Sequence, residues 1–152
     1  MAKKKKVGDI YRFNFDEKYH CYCQILEAND VCFFDFYSDC ENDDIDKVLD
    51  SKELFRIFCD RDCFKGNKWK YICNKELTKD KKIIQYKYHQ AIGDDYYSLY
   101  KEGVFTKTSR ENCFGLEFFT LWTEFGLIQR LNYSFFNHEL LPHVLKHLPF
   151  YK

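Results

Sequence analysis

The first forty residues alternate hydrophobic and polar side chains with the period of two that is typical of β-strands. Within residues 7–15, an aromatic residue stands at every second position from residue 11 on, namely Tyr11, Phe13 and Phe15. The alternation continues through residues 19–25, where His20, Tyr22 and Gln24 fall on the polar side, and residues 31–36 are almost all hydrophobic. Because successive side chains of a strand point to opposite faces, this pattern predicts one core face and one solvated face, and a third strand buried on both faces. Polar turns at 16–18 and 28–30 join the strands into an antiparallel meander.

Further strands are expected at 54–59, 69–73, 83–89, 96–100, 104–108 and 115–122. The spacing of Ile45, Val48 and Leu49 predicts a short helix that begins near Asp43 or Asp44, where acidic side chains favour a helix start. Helical patterns also cover residues 124–135 and the C-terminal tail, 136–152.

These elements predict an α+β fold. We expect a mainly antiparallel, strongly curled and partly barrel-like sheet, with a short helix after the third strand and helices at the C-terminus. At 152 residues the chain is expected to form a single domain, residues 1–152, in which the basic start, residues 1–6, is disordered. One core should contain Tyr11, Phe13, Phe15, Cys21, Cys23 and Trp69.

The cysteine content indicates a reducing compartment. Eight cysteines in 152 residues are too few for a small disulfide scaffold, and most of them stand where a small hydrophobic residue would fit. The start of the chain has no secretory signal, and no hydrophobic run reaches the ~20 residues that cross a bilayer. We therefore expect reduced, mostly buried thiols, a cytoplasmic location and no membrane partner.

The residues that carry chemistry in enzymes form no convincing motif here. The cysteine spacings fit zinc knuckles poorly, and His143 and His147, although four residues apart, have no accompanying Glu in a His-Glu-x-x-His arrangement. The sequence has no phosphate-binding loop and no nucleophile elbow. We predict no catalytic residues, no bound metal, no cofactor and no enzymatic activity.

Charge is balanced overall but polarised along the chain. Residues 35–62 hold ten acidic and four basic residues, a net charge of −6, whereas residues 65–88 hold eight lysines and two acids, a net charge of +6. An acidic surface suits a basic protein partner, although charged runs are often only solvated loops. The predicted partner-binding residues are Asp39, Glu41, Asp43, Asp44, Asp46 and Glu53, with Tyr37 and Arg56 as anchors.

Several short landmarks recur in order along the chain: Gly8 to Tyr11, Phe33 to Asp35, Leu54 to Ile57, Trp69 to Ile72, and Gly115 to Glu117 followed by Trp122. With these, residues 7–131 resemble the immunity protein 26 family of bacterial polymorphic toxin systems. The resemblance implies a cytoplasmic protein that binds a cognate toxin and neutralises it without catalysis, and the acidic surface suits a basic toxin. It brings no catalytic residues, and Gly8, Trp69 and Gly115 match as architectural positions. A monomer or a weak homo-oligomer is expected.

A second hypothesis is a nucleic-acid-binding or regulatory module on a small barrel. It would use the lysines of residues 65–88 and stack bases on Trp69, Tyr71, Tyr86 and Tyr88. The balanced net charge does not favour nucleic acid. The location of these aromatic residues separates the two hypotheses, since a stacking platform must leave them exposed beside the lysines.

Overall fold

The structure is a computed structural model that describes residues 4–93 and 95–151. Its strands are β1 (Asp9–Phe13), β2 (His20–Ile25), β3 (Asp30–Ser38), β4 (Glu53–Cys59), β5 (Trp69–Asn74), β6 (Lys87–His89), β7 (Tyr97–Lys101), β8 (Val104–Thr108) and β9 (Leu121–Trp122). Its α-helices are α1 (Ile45–Asp50), α2 (Lys79–Lys82), α3 (Glu124–Phe136) and α4 (Pro142–Leu145). The mixed α+β class expected from the sequence is confirmed.

The strands form two sheets. The larger has the order β5-β1-β2-β3-β4-β9, and all of its neighbours are antiparallel except β4 and β9. It is an open sheet whose edge strands β5 and β9 are not paired with each other. The strongly curled, partly barrel-like form expected from the sequence is therefore not supported. Short turns determine which strands are neighbours, but closure requires the two edges to hydrogen-bond as well.

The first face of the large sheet carries the expected core. Tyr11, Phe13, Phe15, Cys21, Cys23 and Trp69 all belong to one buried cluster, as predicted. Trp69 stacks on Phe13 with ring centroids 3.9 Å apart, and α3 covers this face with Leu127 and Leu131. The indole Nε1 of Trp69 donates to Glu124 at 2.8 Å, so the first turn of α3 is tied to the edge strand β5.

The second face of the sheet is also buried, which corrects the expectation of a solvated side. Tyr22 and Gln24 of β2 are almost fully buried, and Val48 of α1 and Leu77 pack in the same second cluster. Gln24 is accommodated because its amide Nε2 donates to the main-chain carbonyl of Lys75 at 3.0 Å. A polar side chain can thus lie in a core when a partner satisfies its hydrogen bonds, and alternation alone does not reveal that partner.

Gly8 is required where the chain enters β1. Its φ angle is +93°, and an added Cβ would stand 2.5 Å from the carbonyl oxygen of Lys75. This close approach lets the loop after β5 reach Gln24 and close the second face. The architectural role implied by the resemblance is consistent with this geometry.

Three expected elements are shorter than the pattern indicated. Residues 83–89 contribute only β6, because Ile83 ends α2, and residues 115–122 contribute only β9. The C-terminal helix expected across 136–152 is reduced to α4, with Pro142 in its first turn. Residues 1–6 were expected to be disordered. Of these, residues 1–3 lie outside the described residues. Lys6 donates its main-chain N–H to the Asp9 carboxylate at 2.9 Å.

The smaller sheet, β6-β7-β8, is attached to the larger one by a buried ion pair. Lys87 of β6 donates to Asp30, the first residue of β3, at 2.7 Å, and both side chains are almost completely buried. Residues 117–119 run beside β6 and exchange main-chain hydrogen bonds with Tyr88.

Candidate partner-binding surface

The acidic segment, residues 39–53, leaves the end of β3, forms α1 and returns into β4. Four of its predicted partner-binding carboxylates are exposed: Asp39, Glu41, Asp44 and Asp46. Asp44 also caps α1, because its carboxylate accepts the main-chain N–H of Asp46 at 3.0 Å. The helix begins where the sequence predicted, and its acidic first turn is favoured by the helix dipole.

Asp43 behaves differently from its neighbours, since its side chain is only 7% exposed. Its Oδ2 lies 2.7 Å from Nε2 of His20 and accepts the hydroxyl hydrogen of Tyr22 at 2.6 Å. His20 and Tyr22 are the polar-side residues of β2. This buried network joins the middle of the acidic segment to the second face of the sheet.

The network favours the ionised form of Asp43. Burial alone would raise the pKa of this carboxyl, but hydrogen bonds from Tyr22, His20 and Ser38 outweigh it, so the pKa is lowered. Burial, together with the neighbouring Asp43 carboxylate, raises the pKa of Tyr22. Tyr22 therefore stays neutral, and its hydroxyl donates a hydrogen bond to the Asp43 carboxylate throughout the physiological pH range.

A hydrogen bond from a side chain to the main chain also holds the start of the acidic segment. Arg12 of β1 donates through Nη1 to the carbonyl of Glu41 at 3.3 Å. The ammonium of Lys18 lies 3.9 Å from Oδ2 of Asp39, but both side chains are largely exposed, so this ion pair adds little to stability. The acidic segment is thus held on β1 and β2, while its exposed carboxylates face the solvent.

Tyr37 supplies an aromatic residue at the edge of the acidic segment. It is 44% exposed, and its ring packs against Phe135 and Phe136 of α3 with centroids 5.0 and 4.9 Å away. A partly exposed aromatic ring held in one position loses little side-chain entropy on binding, which suits an interface anchor.

Arg56, in contrast, is buried and fully occupied within the chain. Its guanidinium pairs with Glu53 and donates to the carbonyls of Ile83 and Asp80 at 2.6 and 3.0 Å. The sequence placed Arg56 and Glu53 at the interface because they adjoin the acids. In the structure this pair joins β4 to the residues around α2, and a role of Arg56 and Glu53 at an interface stays a prediction.

The lysine segment, residues 65–88, does not form the stacking platform of the second hypothesis. Trp69 and Tyr88 are buried, and Lys87 lies in the ion pair with Asp30. Tyr71 and Tyr86 are partly exposed, at 38% and 46%. With two of the four candidate rings inside the core, a base cannot stack on them without unfolding the sheet.

A cleft of about 710 Å³ lies between β4, α3 and the C-terminal tail. Its arginine Arg130 is bound bidentately by Glu117, with both N···O distances 2.7 Å, and stacks 3.8 Å over Phe55. Such pairing indicates a structural role. Within the described residues, no group of three or more His, Cys, Asp and Glu side chains is arranged to hold a metal ion.

His20, Tyr22 and Arg12 position the acidic segment and were not predicted from the sequence. The available signal was their place on strand faces opposite the aromatic core, without an obvious partner.

Across residues 4–93 and 95–151, no helix has the length and apolar character needed to cross a bilayer.

The comparison with protein families now decides the class of this chain. The family model described as Immunity protein 26 matches residues 6–98, more than half of the sequence. The chain belongs to the Immunity protein 26 family. The matched residues of this family member include β1 to β6 and the whole acidic segment, whereas the Gly115 to Trp122 landmark lies beyond them. No curated protein and no solved structure shows a significant match to the chain.

Proposed function

We propose that this Immunity protein 26 member acts in the bacterial cytoplasm, where it binds a cognate toxin domain and neutralises it without catalysis. The proposal rests on family membership. The free state of all eight cysteines is consistent with a reducing compartment. The mechanism is steric: the immunity protein covers a surface that the toxin needs.

The proposed recognition surface consists of Asp39, Glu41, Asp44, Asp46 and Tyr37. The observation that carries this location is the buried network of His20, Tyr22 and Asp43, which holds the acidic segment on the sheet. Fixed carboxylates pay less entropy on binding than carboxylates on a mobile loop. They also accelerate the encounter with a basic toxin and oppose acidic competitors.

In this proposal Asp43 and Arg56 are positioning residues. Both are buried and already hydrogen-bonded within the chain, so direct contact with a toxin would require their networks to open. Glu53 pairs with Arg56 and marks the far end of the surface. A standard interface covers ~800 Å² per partner, so residues outside the acidic segment must contribute too.

The test is a charge reversal confined to exposed positions, Asp39→Lys, Glu41→Lys and Asp46→Lys, which leaves the cap Asp44 and the buried Asp43 unchanged. The matched control carries the same change of charge on other surfaces, at the exposed residues Asp62, Glu76 and Glu139. Both variants are assayed for protection of cells that express the toxin encoded beside this gene, and for the association rate with that toxin at several salt concentrations.

We expect the first variant to lose protection and to associate at least tenfold more slowly at low salt, because steering charges change association rates by about 10 to 10³. The control should protect as the native protein does. If both variants fold and protect fully, the acidic segment is not the recognition surface. If the native protein does not bind or protect against that toxin, the assignment of that toxin as its partner is refuted.

A further inference from the structure

Strand β8 is an edge strand of the smaller sheet, and no further strand among the described residues pairs with its outer edge. Its Val104 and Phe105 are 62% and 50% exposed, and Thr106 and Lys107 are exposed as well. Glu102 and Gly103 both have positive φ angles and form the two-residue turn between β7 and β8. Such a turn is closed by a hydrogen-bonded pair, here Lys101 and Val104, and paired positions alternate from there.

This alternation determines which main-chain groups of β8 face outward. Val104, Thr106 and Thr108 exchange hydrogen bonds with β7, so the N–H and C=O groups of Phe105 and Lys107 point away from it. No hydrogen bond joins these outward groups to another residue that the structure describes. An edge strand of this kind can receive a further strand.

Two of the other sheet edges are covered or protected. Residues 117–119 occupy the outer edge of β6 through hydrogen bonds with Tyr88 of 2.9 and 2.8 Å. The edge strand β5 contains Lys70 and is flanked by Lys68 and Lys75, so two copies of that edge would repel each other. On β8 the exposed side chains are instead aromatic, β-branched and a single lysine.

We propose that β8 pairs antiparallel with β8 of a second copy of this chain, across a twofold axis at Thr106. The two three-stranded sheets would then form one six-stranded sheet. In this register Phe105 lies opposite Lys107 of the second copy, and the two exchange both main-chain hydrogen bonds. The axis repeats this pair, which gives four hydrogen bonds in total.

The charges of the strand favour this register. A lysine opposite an aromatic ring is an attractive cross-strand pair, and the Lys107 ammonium already lies 4.7 Å from the ring centroid of Tyr96. An axis at Lys107 would place two lysines opposite each other. Antiparallel pairing also brings the turn at Glu102 beside Arg110 of the second copy, which follows β8 and is exposed.

The association should be weak. Two five-residue strands cover less than the ~800 Å² per partner of a standard stable interface. We expect a dissociation constant between about 10 µM and 1 mM. The proposal is independent of the proposed recognition surface, whose residues lie in β3, in α1 and between them.

The test exploits the twofold axis, where Thr106 meets its own copy. Thr106→Lys and Thr106→Glu each oppose like charges and should weaken self-association at least about fivefold, while an equimolar mixture of the two should restore it. Thr78→Lys and Thr78→Glu are the controls, since Thr78 is exposed and makes no side-chain cap hydrogen bond with α2. Sedimentation equilibrium measures the mass, and circular dichroism verifies folding.

A second measurement needs no variant. The amide hydrogens of Phe105 and Lys107 in the native protein should exchange more slowly as its concentration rises. A native protein that stays monomeric up to about 1 mM overturns the proposal. A dimer that the Thr106 changes leave intact also overturns it. The same holds if these variants lose toxin protection without any change in self-association.

Discussion

Replacing Lys87 by Met should destabilise the protein severely, because it leaves the Asp30 carboxylate buried without its cation. The ammonium of Lys87 lies 2.7 Å from Asp30 and 4.5 Å from the ring centroid of Phe58, and the exposed fractions of the two charged side chains are 2% and 4%. Removing one partner of such a pair costs about 3–5 kcal/mol. For a chain of this size that corresponds to a fall in melting temperature of roughly 6–20 °C.

The pH dependence gives this prediction a distinctive sign. Burial raises the pKa of Asp30, and Lys87 opposes that rise. In Lys87→Met the pKa of Asp30 should increase further, so the folded state binds a proton that the unfolded state releases above pH ~4. Stability of the variant should therefore fall as pH rises, and the penalty should be smaller at pH 5 than at pH 7.

Urea unfolding at both pH values measures these effects, and the double variant Asp30→Asn/Lys87→Met is the control. Removing both charges should recover about 2 kcal/mol of the loss, since no uncompensated charge remains. A penalty below about 1 kcal/mol at pH 7 would mean that water reaches Asp30. A penalty independent of pH would refute the proposed cause even if the loss were large.

Three further predictions concern the core, the acidic segment and the thiols. Trp69→Ala should lower the free energy of unfolding, measured in urea, by about 3–5 kcal/mol. Trp69→Phe should lower it by about 2–3 kcal/mol, because it loses the hydrogen bond to the Glu124 carboxylate and leaves a space where the larger indole packed. The lowered pKa of Asp43 stabilises the fold above the unfolded pKa and this contribution is lost on acidification, so Asp43→Asn should show a smaller fall in urea midpoint between pH 7 and pH 3 than the native protein. Thiol titration of the native protein should give one fast reaction, abolished by Cys40→Ser, because Cys40 is the one exposed cysteine among the eight; Cys59 and Cys73 are half-buried and the other five are buried.

Much of the fold was predictable because local pattern and tertiary structure agree in the first half of the chain. The aromatic alternation in β1 and the hydrophobic run in β3 correspond to buried positions, and Asp44 caps α1 near the predicted start. These features depend on short-range periodicity and capping, which a sequence displays directly. The match to the family model over residues 6–98 confirms the family resemblance that the short landmarks in that part of the sequence indicated.

The misjudged features all depend on contacts between distant segments. Nothing near Gln24 shows that the carbonyl of Lys75 will satisfy its amide, and nothing near Asp43 shows that β2 will supply Tyr22 and His20. Charge counting around Arg56 also does not reveal that main-chain carbonyls more than twenty residues away will accept its hydrogen bonds. Sheet closure likewise depends on edges that meet only in the folded chain.

The parallel pairing of β4 with β9 has a consequence for how the protein is made on the ribosome. Cys59 of β4 pairs with Trp122 of β9, and the helix that covers the aromatic face follows immediately. At about 5–20 residues per second, the residues between them take roughly 3–12 s to synthesise. During that interval the β4 edge and the aromatic face of the nascent sheet stay uncovered. The interval in which a chaperone can act on this chain is therefore determined by when β9 and α3 leave the exit tunnel.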